Sequence, residues 1–358
     1  MTPVEIPSTS NQKKIMFPRI AHYRGVIRYF IEVCMGQKYI LPPKMTRHTL
    51  EIGARYSPDT VCTPFKSTLG CMIEALDSGA DTLMMSHGLC RLGYYGELQE
   101  QILRDLGYEF DFINLAAYST GKKKDLLKVL KRINPKVKYT RIIPGAMDAL
   151  KLLEYIDEVT DEYYQNCGFD PSGAYKKAYK QFLRETERVS SRQDIDRIYR
   201  EVKKVFSDTP LDKPAEPLRE FFTVMDPFSN LDLEQTIADM GVEVHRWMNV
   251  SNRMVHYPGE KNMNAKIKDL CTYEMGPTST ANIWAAREYA RRGFDGIIHV
   301  KSAGCTPEID VMPVLQTIGA EEKIPILYLT YDVQTGEAGL MTRLEAFYDM
   351  IAMRKDVF

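Results

Sequence analysis

Three of the seven cysteines, Cys62, Cys90 and Cys305, stand in settings that favour thiolate, the form of sulfur that ligates metals. Cys62-Thr63-Pro64 and Cys305-Thr306-Pro307 each precede a helical pattern. Proline suits a helix start, and the free amides and dipole of that end stabilise a nearby negative sulfur. Cys90 lies in Gly88-Leu89-Cys90-Arg91-Leu92-Gly93, where glycine permits close backbone approach and Arg91 supplies positive charge. A cysteine also serves as a small buried hydrophobe. That reading is preferred for Cys34, Cys167 and Cys271, and it comes first for Cys71, with a ligand role in reserve. No Cys-x-x-Cys pair occurs, so a metal site has to be assembled from distant segments. Three soft sulfurs suit an iron–sulfur cluster with one iron left open, or zinc; His87, three residues before Cys90, keeps zinc as the minority reading.

Arg91, Glu308 and Glu337 are the candidates for tuning such a centre or moving protons, Arg91 and Glu308 because they lie one and three residues from proposed ligands. Surface salt bridging is the competing role, above all for Glu337. Arg343 and Glu345 read as structural residues of a final helix. Residues 122–141 hold nine basic side chains and one acid, Asp125, yet Leu126, Val129, Leu130 and Ile133 mark an ordinary amphipathic helix with a solvated charged face. Gly276-Pro277-Thr278-Ser279-Thr280 precedes a helix and could bind an anion, although capping alone explains the hydroxyls.

The elements that must position these residues alternate between strand and helix. Strands are expected at 14–17, 81–86 and 109–114, with an amphipathic segment at 23–35 and a helix at 95–106. From 146 to 206 the pattern is helical, with Leu152, Ile156, Val159 and Tyr163 on one face and Ile195, Ile198, Val202 and Phe206 on another; Ser191 with Asp194 resembles a capping box. Prolines 210, 214 and 217 punctuate a linker, after which strands are expected at 221–225, 242–247, 296–300 and 325–330. The expected organisation is a polar tail at 1–13, a first α/β domain at 14–145, a helical insert and linker at 146–212 and a second α/β domain at 213–358. Both domains read as doubly wound parallel sheets. A faint repeat relates them: Asp81-Thr-Leu-Met-Met reaches Cys90 in nine residues and Asp295-Gly-Ile-Ile-His reaches Cys305 in ten. Both sulfurs then follow carboxyl ends of strands, the edge where open α/β sheets bind ligands.

Composition narrows the functional classes. Lys plus Arg number 47 against 48 Asp plus Glu, a net charge of −1 that offers no overall field for nucleic acid. No apolar run has the length of a membrane span and residues 1–12 lack a signal peptide's apolar core, so a cytoplasmic protein that keeps its thiols reduced is expected.

The same residues carry a resemblance. The chain resembles the 2-hydroxyacyl-CoA dehydratase family, especially its activase-related and double-cubane cluster relatives, over most of residues 14–120 and 219–353. The resemblance rests on Tyr56-Ser57-Pro58 through Cys62-Thr63-Pro64-Phe65-Lys66, on Gly88-Leu89-Cys90-Arg91-Leu92-Gly93-Tyr94-Tyr95-Gly96-Glu97, and on Gly304-Cys305-Thr306-Pro307-Glu308. A fourth block runs Thr335-Gly336-Glu337-Ala338-Gly339-Leu340, then Thr342-Arg343-Leu344-Glu345-Ala346-Phe347. It implies two flavodoxin-like domains with a cluster between them, three cysteines per cubane and low-potential electron transfer. Dehydratases of that family take an electron from a separate ATP-hydrolysing activase and pass it to an acyl-CoA thioester, where a ketyl radical permits loss of the hydroxyl. Only three cysteines match, which favours one four-iron cluster over a double cubane. Neither a P-loop nor a dinucleotide fingerprint occurs, so ATP is expected to be handled by the partner. The family pattern also implies a homo- or heterodimer. The alternative expectation is an electron-transfer or accessory subunit of an activase system.

Overall fold

The computed structural model describes residues 12–20, 22–42, 45–85, 95–115, 129–224, 233–246, 249–251, 259–332 and 337–356. In the first unit, β1 (Lys14–Met16) leads into α1 (Arg24–Arg28), which continues as a π-helical stretch, Tyr29–Cys34, and then β2 (Lys38–Ile40). Next come α2 (Arg47–Tyr56), α3 (Thr63–Asp77), β3 (Thr82–Met85), α4 (Tyr95–Asp105) and β4 (Asp111–Asn114). The helical insert comprises α5 (Tyr139–Asn166), α6 (Ala174–Thr186) and α7 (Arg192–Asp208). The second unit follows as β5 (Leu218–Val224), α8 (Leu233–Asp239), β6 (Val242–Arg246), α9 (Glu260–Lys266), α10 (Pro277–Arg291), β7 (Gly296–Ser302), α11 (Thr306–Glu321), β8 (Ile326–Tyr331) and α12 (Glu337–Asp356).

Each unit holds a four-stranded, all-parallel sheet, ordered β2-β1-β3-β4 in the first and β6-β5-β7-β8 in the second. The two orders are equivalent: the chain steps from the first strand to one neighbour, then crosses back to the other side. The reversal point therefore lies between β1 and β3, and between β5 and β7, where loops diverge at the carboxyl edge. The doubly wound α/β reading of the sequence holds. Buried parallel strands are apolar on both faces, as in the wholly buried Thr82-Leu83-Met84-Met85 of β3. β7 is also wholly buried, yet it carries His299, Lys301 and Ser302. Polar groups in such a strand need a reason.

Among the described residues the apolar side chains form three clusters, and one of them spans both sheets and the insert. It gathers Ile15, Met84 and Ile113 from the first sheet, Leu152, Ile156, Phe182 and Phe206 from the insert, and Val244, Ile298, Val300 and Leu329 from the second sheet. The insert is thus the layer shared by both units. Ser191 and Asp194 form the expected capping box at α7. α5 begins at Tyr139, so the border expected at 145/146 falls inside one helix, while residues 209–217 carry neither helix nor strand. The sequence reading missed β2 and α2. β2 is a three-residue edge strand, too short for its alternation to register.

Candidate functional site between the two sheets

Cys62 is the N-cap of α3 and Cys305 the N-cap of α11, both in extended backbone. In each helix threonine takes the first position and proline the second, so proline's missing N–H falls among amides that have no intrahelical partner anyway. Two local packing features put Cys62 in place. Gly53 of α2 and Gly70 of α3 let the helices meet backbone to backbone: a Cβ at Gly53 would lie 1.7 Å from the Lys66 carbonyl oxygen, and one at Gly70 2.0 Å from that of Thr49. At the other end of the contact, Gln99 of α4 donates to the Phe65 carbonyl at 3.1 Å, and Tyr95 meets the Phe65 ring edge-on.

The two cysteine turns touch, although they belong to different sheets. Ser302, the last residue of β7, accepts the Thr63 amide on its hydroxyl oxygen at 3.0 Å. Gly304 (φ +74°) makes the tight turn that follows, and a Cβ there would sit 3.4 Å from the Thr60 carbonyl oxygen and 3.8 Å from Cys62 Cα. Cys305 packs against the apolar cluster that contains Cys62, Phe65 and Leu69. Cys62 is buried, Cys305 half-buried.

Cys90 and Arg91 lie outside the described residues, but both ends of the segment that carries them are fixed. It leaves β3 after Met85 and re-enters α4 at Tyr95, whose hydroxyl lies 2.8 Å from Cys62 Sγ. Tyr95, the first described residue after that segment, thus stands at the Cys62 sulfur. Among the described residues no group of three or more His, Cys, Asp and Glu side chains is close enough to hold a metal. Two of the three expected ligands are described, and the donor chemistry of the pair, two sulfurs at adjoining helix starts, fits a cluster held by thiolates. Among the other cysteines, burial pushes the Cys34 and Cys71 thiols up to about 12 and Cys167 up to about 11, and it raises Cys271 as well.

Behind Cys305 lies a buried polar group that the sequence reading found only in part. Glu308, on the first turn of α11, has no exposed surface. Its Oε1 accepts from Asn282 Nδ2 of α10 at 2.9 Å, and its Oε2 is 3.4 Å from His299 Nε2 of β7. Burial pushes the Glu308 carboxyl up to about 8, against the opposing pull of the Asn282 hydrogen bond and the Lys301 charge. Burial and the same Lys301 push His299 down to about 4. At neutral pH both groups are uncharged, so their 3.4 Å approach is not a salt bridge. His299, Lys301 and Asn282 were not singled out from sequence. The available signal was a histidine and a lysine inside the apolar run Gly296-Ile297-Ile298-His299-Val300-Lys301-Ser302.

The remaining candidates take other places in the fold. Glu337 is the first residue of α12. Arg343 donates to the Tyr328 carbonyl. Ser279 and Thr280, weighed as an anion site or a cap, donate their hydroxyls to the Pro307 carbonyl at 3.0 Å and to Asn264 Oδ1 at 2.9 Å. They tie α10 to α11 and α9. Leu130 and Ile133 are buried as an amphipathic helix requires, and Arg132 pairs with Asp111; residues 122–128 lie outside the described residues. No helix among the described residues is long and apolar enough to cross a membrane. A scan against models of protein families finds none that matches the chain, and no curated protein matches it either.

Proposed function

We propose that this chain is an iron–sulfur protein of the 2-hydroxyacyl-CoA dehydratase type, with Cys62, Cys90 and Cys305 holding one four-iron cluster between the two sheets. The observation that carries the reading is the meeting of two cysteine-capped helix starts from different sheets, joined by the Thr63–Ser302 hydrogen bond and the close turn at Gly304. A structural cysteine needs no such convergence. When bound, the cluster would supply a low-potential electron to a CoA thioester or another small molecule, after reduction by an ATP-dependent activase.

The chain's own residues would do the rest. The three sulfurs would fix the position of the centre, and the Tyr95 hydroxyl would hydrogen-bond the Cys62 sulfur. Glu308 would hold a proton on its carboxyl at neutral pH, three residues from Cys305, with Asn282 fixing its orientation. Arg91 and Glu337 are proposed for charge balance and proton movement on the family pattern alone. A homo- or heterodimer and a cytoplasmic setting belong to the same proposal.

Anaerobic purification and reconstitution, followed by iron and sulfide analysis and an absorption spectrum, tests the core of this reading. About four iron and four sulfide per chain are expected for one such cluster. A reconstituted chain without iron defeats the proposal, and a colourless protein containing zinc would replace it with the thiolate zinc site. Substrate-dependent oxidation of the reduced protein then separates catalysis from electron carriage.

A further inference from the structure

We infer that Arg19, His22 and Tyr39 form a binding site for an oxyanion, the carboxylate or phosphate group of a small ligand, at the carboxyl edge of the first sheet. The inference does not depend on the cysteines holding a cluster.

Among the described residues, the charges around this edge leave one cation over. Arg24 pairs with Glu187 and Arg28 with Glu32. Farther in, Arg246 pairs with Asp161, which also accepts from Asn249. Arg19 is half-buried three residues beyond the end of β1, and it makes no hydrogen bond or ion pair among the described residues. A guanidinium half withdrawn from water with no carboxylate in contact loses part of its hydration without replacement. Burial and the neighbouring Arg24 lower its pKa, the cost felt by the charged form. A ligand anion removes that cost, and the planar fork of arginine suits the two oxygens of a carboxylate or phosphate.

A second group points to the same ligand independently. Tyr39 of β2 is 8% exposed, and its hydroxyl has no hydrogen-bond partner among the described residues. Arg19 and Tyr39 act on each other electrostatically, and Arg24 and Glu187 act on both. An unbonded buried donor beside an unpaired cation is the arrangement that an oxyanion satisfies at one stroke.

His22 completes the edge. Burial and the charges of Arg246, Arg24 and Arg19 push its imidazole down to about 3, so it is neutral and can donate one N–H without adding charge. Its ring meets Tyr179 edge-on, which anchors it to the insert. The position also fits the topology, since the loop after β1 stands at the strand-order reversal of the first sheet.

The test is titration calorimetry on the full chain at constant ionic strength, with inorganic phosphate and, separately, propionate as probes. At least one probe should bind saturably. Arg19→Gln should weaken that binding at least tenfold and Tyr39→Phe three- to tenfold, while Arg47→Gln, on the exposed face of α2, leaves it unchanged. A preference for phosphate assigns the ligand to phosphorylated molecules, a preference for propionate to carboxylates. Absence of saturable binding of either probe to the unaltered chain overturns the inference. So does unaltered affinity in the Tyr39→Phe variant, which keeps the core shape and decides the matter should Arg19→Gln fail to fold.

Discussion

Sulfur and carboxyl chemistry at single residues gives the sharpest tests. Cys62→Ser, Cys90→Ser and Cys305→Ser should each impair iron retention after anaerobic reconstitution, whereas Cys34→Ser and Cys167→Ser should retain it. Iron content per chain reads the difference, and equal loss in all five would contradict the sorting. Glu308 makes a prediction about pH. Its carboxyl is pushed up to about 8 in the folded chain from an ordinary value near 4.5. The unfolded chain therefore ionises first, and the stability associated with the protonated form is lost as pH rises from about 4.5 to about 8. Glu308→Gln should flatten that slope, and the variant should gain on the parent by roughly 2–4 kcal/mol between pH 5 and 8 in urea unfolding. Glu220, fully buried in β5 and also pushed up to about 8, should act in the same direction. His299 acts oppositely: held down at about 4, it costs stability as pH falls below about 6.5.

At the scale of elements, the α2–α3 contact decides where Cys62 stands. Gly53 and Gly70 face backbone, which cannot move aside as a flexible side chain would. Gly70→Ala should therefore cost at least about 1–3 kcal/mol, the usual range for an overpacked core, and lower the thermal midpoint. Because α3 carries Cys62 at its start, the same variant should also hold less iron; a change in stability with full iron retention would uncouple the two. The turn after β7 works in the same way. Gly304 has a left-handed backbone, so Gly304→Val is strained by conformation as well as by its closeness to Thr60 and Cys62.

Across the whole molecule, the insert binds the two sheets through a buried polar network as well as through apolar packing. The Tyr23 hydroxyl donates to Asp157 of α5 and accepts the Val250 amide at 3.1 Å, while Asp157 Oδ2 accepts the Ser251 amide at 2.7 Å. One carboxylate thus joins the loop after β1, the insert and the segment after β6. Burial raises the Asp157 pKa, and the hydrogen bonds from Tyr23 and Ser251 oppose that shift. Asp157→Ala should leave these donors unsatisfied and destabilise the chain by about 2–4 kcal/mol. Limited proteolysis should show faster cleavage near residues 249–251, where native backbone bonds are lost; an unchanged cleavage pattern would argue against a joining role.

The α/β class, most strands, the capping box at Ser191 and the apolar faces of α5 and α7 were legible in the sequence, because periodicity and capping are local consequences of backbone geometry. The settings of Cys62 and Cys305 were legible for the same reason: a proline in the first helical turn marks a helix start wherever it occurs. Their adjacency was not. It arises from a serine at the end of β7 reaching an amide at the start of α3, 239 residues away in the chain, and no local pattern encodes such a pairing. Of the Glu308, His299 and Asn282 group only Glu308 was marked in the sequence, since its members come from three elements and the protonation of Glu308 and His299 is set by their burial. Residue type and spacing determined what chemistry each segment can offer; the packing of two parallel sheets on one helical layer decided which of those segments meet.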